Sequence, residues 1–217
     1  ALKSAEISDF KELTARLSKK PADGAITKAM VAVKDADGNK VDVEDVTVNK
    51  STVKIKTAKK LAVTGKYTIE IEGMGSQTAI AGALVRTDAF DKAYAYDGDD
   101  LGVTFKEART GFKVWAPTAT KVELVIYKST DPNAEVDKTI DMTGEDKGVW
   151  SATVKKLASG TAYSYKLTFA DGTVNTSSDP YATAAVANGE RSVVLSKEDM
   201  GSAGKRMPAF GKTTDAT

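Results

Sequence analysis

From Ile26 onward the chain keeps returning to one pattern, short runs in which apolar and polar residues alternate, each cut off by turn-forming residues. A period of two sends successive side chains to opposite faces of an extended backbone, so each run offers one face to a core and one to water. Many such runs in series are the signature of antiparallel strands with one wet face. At 217 residues the chain has room for two domains of about 100 residues, each able to bury a core without disulfide staples. The expected fold class is all-β, with two immunoglobulin-like antiparallel β-sandwich domains in series.

In the first half, MVAVKDADGNKVDV flanks Asp37, Gly38 and Asn39 with alternating valines and reads as a hairpin, because Gly and Asn tolerate positive φ. STVKIKT and KYTIEIE follow as strands. ISDFKELTARL fits two periods: Ile7, Phe10, Leu13 and Leu17 recur at near-helical spacing, while Leu13, Ala15 and Leu17 would line one strand face. The strand reading is preferred. After the small-residue stretch MGSQTAIAGALVRTDAF the aromatic density rises, which places a domain boundary near residues 88–91. The second half supplies GFKVWAP, KVELVIY, GVWSATV and AYSYKLTF, separated by TDPNAEV, GEDKG and LASGT.

Composition removes several kinds of chemistry. The formal net charge is +1, so no global field draws the chain to nucleic acid or to anionic lipid. Without cysteine there is no thiolate nucleophile, and without histidine the usual zinc ligand, proton shuttle and near-neutral pH switch are missing. No run approaches the roughly 20 apolar residues that cross a bilayer as a helix. Location stays open, with extracellular or cell-surface placement favoured over cytoplasmic.

The acidic clusters read as turns. DADGNKVDVEDV resembles a calcium loop, but glycine stands at its fourth position and Lys40 at its sixth, where the sharp turn needs glycine. Asp97, Asp99 and Asp100 beside Gly98 fit either a cation loop or a solvated turn, with the turn preferred. No cofactor, metal or catalytic residue is expected; calcium is left without a loop of the right geometry. Glycoside hydrolysis by paired carboxylates needs one of them enclosed, and no acid here looks enclosed.

Strand parity sorts the aromatics. If Phe112, Val114 and Ala116 face a core, Lys113 and Trp115 face outward. Val122, Leu124 and Ile126 then point inward with Tyr163, Tyr165, Leu167 and Phe169, while Val125, Tyr127 and Lys166 point outward. Trp150 shares the phase of Ala152 and Val154 and is expected in the core. Trp115, close to Lys113, Tyr127 and Lys166 in this scheme, would form an outer patch that needs a cover: a sugar, a loop or another domain.

FKVWAPTATKVELVIY, together with YDGDDLGVTF before it and GVWSATV, YSYKLTF and DPYATAAVANGERSVV after it, resembles the N-terminal region of type I pullulanases. The resemblance is specific over about residues 94–194 and rests on strand pattern over 1–90. It implies an N-terminal β-sandwich (1–89), a family 48 carbohydrate-binding module (90–199) and a linker (200–217) leading to a (β/α)8 barrel of the α-amylase superfamily that cleaves α-1,6 linkages. The pullulanase motif YNWGYDP is absent and only 18 residues follow Asp199, where a barrel needs about 250. The chain is therefore expected to be a non-catalytic fragment, or one piece of a cut enzyme, and the intact mass of the native protein would test that.

The same resemblance implies site residues. Lys166 matches a sugar-binding lysine of glycogen-binding family 48 modules, so Trp115, Tyr127 and Lys166 become candidates for α-glucan binding. Val174 stands where those relatives tend to have a stacking tryptophan, and YKSTDPNAEV lacks their second loop aromatic. Docking on the barrel is therefore preferred to sugar binding, with Tyr94, Tyr96, Asp179, Pro180 and Tyr181 as candidates for the docking surface. An autonomous α-glucan-binding module and a pair of cell-surface spacer domains remain the alternatives.

Overall fold

A computed structural model of the chain describes residues 1–186 and 189–205. Four antiparallel sheets pair into two layered cores. The first core lies between the sheet β1(Leu2–Asp9)-β2(Glu12–Leu17)-β5(Thr52–Thr57)-β4(Val43–Asn49) and the sheet β3(Val31–Lys34)-β6(Tyr67–Ile71)-β7(Gly75–Ala79). Ile7, Leu13, Val53 and Ile55 from one sheet meet Val33, Ile69 and Ile71 from the other, all essentially without solvent exposure. ISDFKELTARL is thus a strand pair. Leu13, Ala15 and Leu17 are buried on the core face, whereas Glu12 and Arg16 on the other face are not; Thr14, also on that face, is covered and donates to Ser8 Oγ at 2.7 Å.

The turn at Asp37–Asn39 forms, but the hairpin expected around it does not extend. Asp35 Oδ1 accepts from the amides of Asp37 and Asn39 at 3.0 and 2.8 Å, and Gly38 takes φ 84°. Beyond a single bridge between Lys34 and Lys40 the arms part: β3 pairs with β6, and β4 with β5. Alternating valines on both arms suit either one sheet or two sheets facing each other, and the chain here passes from one layer of the sandwich to the other.

A short helix, α1 (Asp88–Tyr94), follows the strands of the first sandwich. Thr87 caps it by accepting from the Phe90 amide at 3.1 Å, and Phe90 is buried in the first core. The second core lies between the sheet β12(Thr143–Gly144)-β13(Val149–Lys155)-β9(Arg109–Trp115)-β8(Gly102–Thr104) and the sheet β11(Val136–Asp141)-β10(Ala119–Tyr127)-β14(Ala162–Phe169)-β15(Val174–Ser177), with β16 (Ser192–Val193) also on β14. Phe112, Val114, Val122, Leu124, Ile126, Tyr163 and Tyr165 fill it, as strand parity predicts. Trp150 packs half-buried against it and donates from Nε1 to the Ala116 carbonyl at 3.1 Å.

Val125 departs from its expected exposure. It does lie on the outer phase of β10, yet it is buried. Its neighbours there, Ser164 and Tyr127, bond to each other, and the Arg191 guanidinium lies over the Tyr127 ring. The chain's own side chains thus crowd this part of the sheet surface. Residues 200–205, expected as linker, belong to helix α2 (Lys197–Lys205); the rest of that linker, 206–217, lies outside the described residues, as do 187 and 188.

Candidate functional site

The three sugar-site candidates do not converge. Trp115 ends β9 on the outer face of one sheet, whereas Tyr127 and Lys166 sit on the outer face of the opposing sheet, with the packed core between them. Lys166 stands opposite Glu123, and Tyr127 lies four positions further along β10, so those two are separated by about 13 Å of strand. Strand parity reports which face a residue occupies within its own sheet. Which of two sheets it belongs to is a matter of topology.

Each candidate is also engaged by its own chain. Lys166 Nζ lies 3.2 Å from Glu123 Oε2, and Lys121 reaches Glu123 Oε1 at 2.9 Å. These ammonium groups, that of Lys121 first, hold the Glu123 carboxyl below its ordinary range. The Tyr127 hydroxyl is 2.9 Å from Ser164 Oγ, and the Arg191 guanidinium stacks 3.6 Å above its ring. Val174, at the position where a stacking tryptophan would matter, is exposed on β15.

Trp115 keeps 39% of its surface exposed and packs edge-on against Phe90 at 6.4 Å between ring centroids. Its Nε1 donates to the carbonyls of Tyr94 at 3.1 Å and Lys147 at 3.0 Å. The cover that an outward tryptophan requires comes in part from α1. Beside it, Lys113 pairs with Asp100 at 2.7 Å and Glu145 at 3.3 Å over a shallow depression of about 260 Å3. Asp100, with Glu145 second, raises the Lys113 ammonium, and Lys113, with the Tyr96 hydroxyl second, lowers Asp100. Among the described residues no group of three or more acids is placed to hold a metal ion.

The docking candidates divide. Pro180 is exposed and Tyr181 is 52% exposed at the rim of a 220 Å3 cavity lined by Val103, Phe105, Leu195 and Met200. Tyr94 stacks on Phe90 at 4.9 Å, and Tyr96 is tied through its hydroxyl to Asp100. Asp179 cannot present itself to a partner, because it is 5% exposed. Its carboxylate accepts from Tyr163 Oη at 2.8 Å, Tyr165 Oη at 3.3 Å and the Tyr181 amide at 2.8 Å, while its own amide donates to Ser192 Oγ at 2.8 Å. Two inward phenols need an acceptor, and that need was the sequence signal for a buried acid. Burial, then the charge of Asp179, drives both phenols well above the ordinary tyrosine range.

Residues 100–182 match the family model of carbohydrate-binding module 48 (isoamylase N-terminal domain). A pullulanase of Bacillus subtilis (strain 168) is 39% identical over 119 residues, covering 55% of this chain and 16% of that protein. The crystal structure of a pullulanase from Anoxybacillus sp. LM18-11 superposes on 96% of this chain with a TM-score of 0.72 at 27% identity. The chain matches the N-terminal region of a pullulanase.

It spans 29% of the Anoxybacillus pullulanase, and the same share of that protein complexed with maltotriose, where the TM-score is 0.71 and the identity 28%. A pullulanase from Bacillus acidopullulyticus shares the fold at a TM-score of 0.77 over 97% of this chain and 38% of that one, with 18% identity. The all-β architecture agrees with that match. The only acid buried among the described residues, Asp179, is bonded to two phenols.

Proposed function

We propose that this chain is the non-catalytic accessory region of a pullulanase-like α-1,6-glucan debranching enzyme, with 1–89 as its N-terminal sandwich and 90–199 as its family 48 module. The observation that carries the reading is the superposition of nearly the whole chain on less than a third of a pullulanase. The partner is then the catalytic (β/α)8 barrel of the parent, and the contact surface centres on Pro180, Tyr181 and the apolar cavity beside Met200. Location outside the cell or at its surface is carried forward with this reading.

The test uses the parent enzyme with and without residues 1–199. Loss of thermal stability of the barrel, or a lower kcat/KM on pullulan, is expected; identical stability and kinetics would reject the accessory role. Substituting Tyr181 by Ser in the intact parent should reproduce part of that loss.

A second reading, an α-glucan-binding module in its own right, draws on the family 48 match and on the maltotriose complex of the Anoxybacillus relative. The ion pair on Lys166 and the guanidinium over Tyr127 weigh against those residues as its platform. Affinity electrophoresis of the chain in glycogen or pullulan gels distinguishes the readings, since retardation requires binding without the barrel.

A further inference from the structure

Helix α1 has seven residues, too few to hold a helix in water unaided. Its two ends belong to different sandwiches. The start is capped by Thr87, and Phe90 is sunk in the first core. At the other end, where the last four carbonyls of a helix lack partners within it, the second sandwich supplies donors: Trp115 Nε1 to the Tyr94 carbonyl at 3.1 Å, and Lys147 Nζ to the Ala93 carbonyl at 3.0 Å. A cation at that end also meets the negative pole of the helix dipole.

Both donors converge through one turn. Lys147 adopts φ 60° and ψ 21°, a left-handed conformation that costs energy for a residue with a side chain. Gly148 follows at φ 75°, and a Cβ there would lie 2.4 Å from Pro117 Cβ. In this turn the Lys147 carbonyl accepts from Trp115 Nε1 at 3.0 Å, while the Lys147 side chain reaches α1. Such strain persists where surrounding contacts over-determine it.

We propose that α1 is a coupling helix: Trp115 and Lys147 of the second sandwich cap its carboxyl end, and those caps order its last turn and fix the angle between the two sandwiches. Trp115 is then an intramolecular clamp, and the sandwich pair meets any partner as one rigid body. The inference goes beyond the accessory role and holds whether or not a barrel is attached.

The chain has no cysteine, so spin labels at Glu70→Cys and Lys138→Cys, both on exposed strand faces in different sandwiches, report the inter-sandwich distance without background. Hydrogen exchange of the 91–95 amides is followed in the same 217-residue chain. Trp115→Phe keeps a ring and removes the N–H; Lys147→Gly keeps the left-handed backbone and removes the ammonium. Each is expected to speed exchange at 91–95 by about fivefold, the worth of one hydrogen bond, and to broaden the distance distribution, with a larger effect when combined. Unchanged exchange and distances in both variants overturn the proposal. So does faster exchange spread evenly over both cores, which would mark general destabilisation instead of a clamp.

Discussion

Asp179 Oδ2 accepts a hydrogen bond from the Tyr163 hydroxyl at 2.8 Å inside the second sandwich, and the same oxygen receives Tyr165 at 3.3 Å. A carboxylate carried by the loop after β15 is in this way tied to the central strand β14, and the backbone amide of the same residue donates to the Ser192 hydroxyl of β16. The arrangement holds the edge of the module whose exposed neighbours are Pro180 and Tyr181.

Removing that carboxylate leaves two buried phenols without their acceptor, and an orphaned buried polar group costs about 1–3 kcal/mol. Asp179→Ala is therefore expected to destabilise the chain by about 3 kcal/mol. Tyr165→Phe, which removes the longer bond and strands nothing, should cost about 1 kcal/mol. Urea unfolding followed by circular dichroism checks both values and their order.

The same cluster sets an alkaline limit. Burial raises the folded-state pKa of Tyr163 and Tyr165 above the ordinary value of 10.0. Below pH 10 both states keep the phenolic protons and pH has no effect through these groups. Above it the unfolded chain sheds protons that the folded chain retains, so stability falls as pH rises. The urea midpoint should decline between pH 10 and 11 while tyrosinate absorbance of the folded protein lags behind that of the unfolded chain. Tyrosinate that developed fully in the folded state with no loss of stability would contradict the burial of the two hydroxyls.

Gly148→Ala should be among the most harmful small substitutions. The added methyl meets the Pro117 ring at 2.4 Å and the backbone stands at φ 75°, so a loss of at least about 2 kcal/mol is expected. Gly24→Ala shares the positive φ of 74° but meets nothing within 4 Å, and should cost only about 1 kcal/mol. The difference between the two melting curves isolates the clash.

Lys113 looks prominent, flanked by Asp100 and Glu145, yet these pairs are solvent-accessible. Exposed ion pairs contribute about 0–1 kcal/mol. Lys113→Met is expected to shift stability by less than about 1 kcal/mol, with the difference shrinking further in 1 M salt. A larger, salt-independent loss would mean that the pair is more enclosed than its geometry indicates.

Glu123 and Lys166 give a sharper control on sugar binding. Because Lys166 is paired with Glu123 and lies on the sheet opposite Trp115, Lys166→Ala should leave gel mobility in glycogen unchanged within error. A selective loss of retardation on that substitution would restore Lys166 as a sugar ligand.

Much of the fold could be read in advance because a strand's alternation is local. The alternation of their own neighbours in sequence places Phe112, Val114, Leu124, Tyr163 and Tyr165 in the core, and all are buried. The candidate site was harder, since parity ranks faces within a sheet and says nothing about which sheet a strand joins. Trp115, Tyr127 and Lys166 shared an outward phase and proved to lie on two opposite surfaces. Asp179 was harder still: the resemblance places it with Pro180 and Tyr181 on a docking surface, and only the tertiary structure closes two phenols from β14 over it.

By itself the sequence determined an all-β chain of two successive cores, without thiol or imidazole chemistry, whose second half resembles a carbohydrate-binding module. Those properties follow from composition and from residues near one another along the chain. Tertiary structure alone decided that β3 and β4 part into different sheets, that Asp179 turns inward, and that Trp115 and Lys147 cap α1 from across the junction. Each of these depends on contacts between segments distant in sequence, which are fixed only when the sheets stack and the loops between them close.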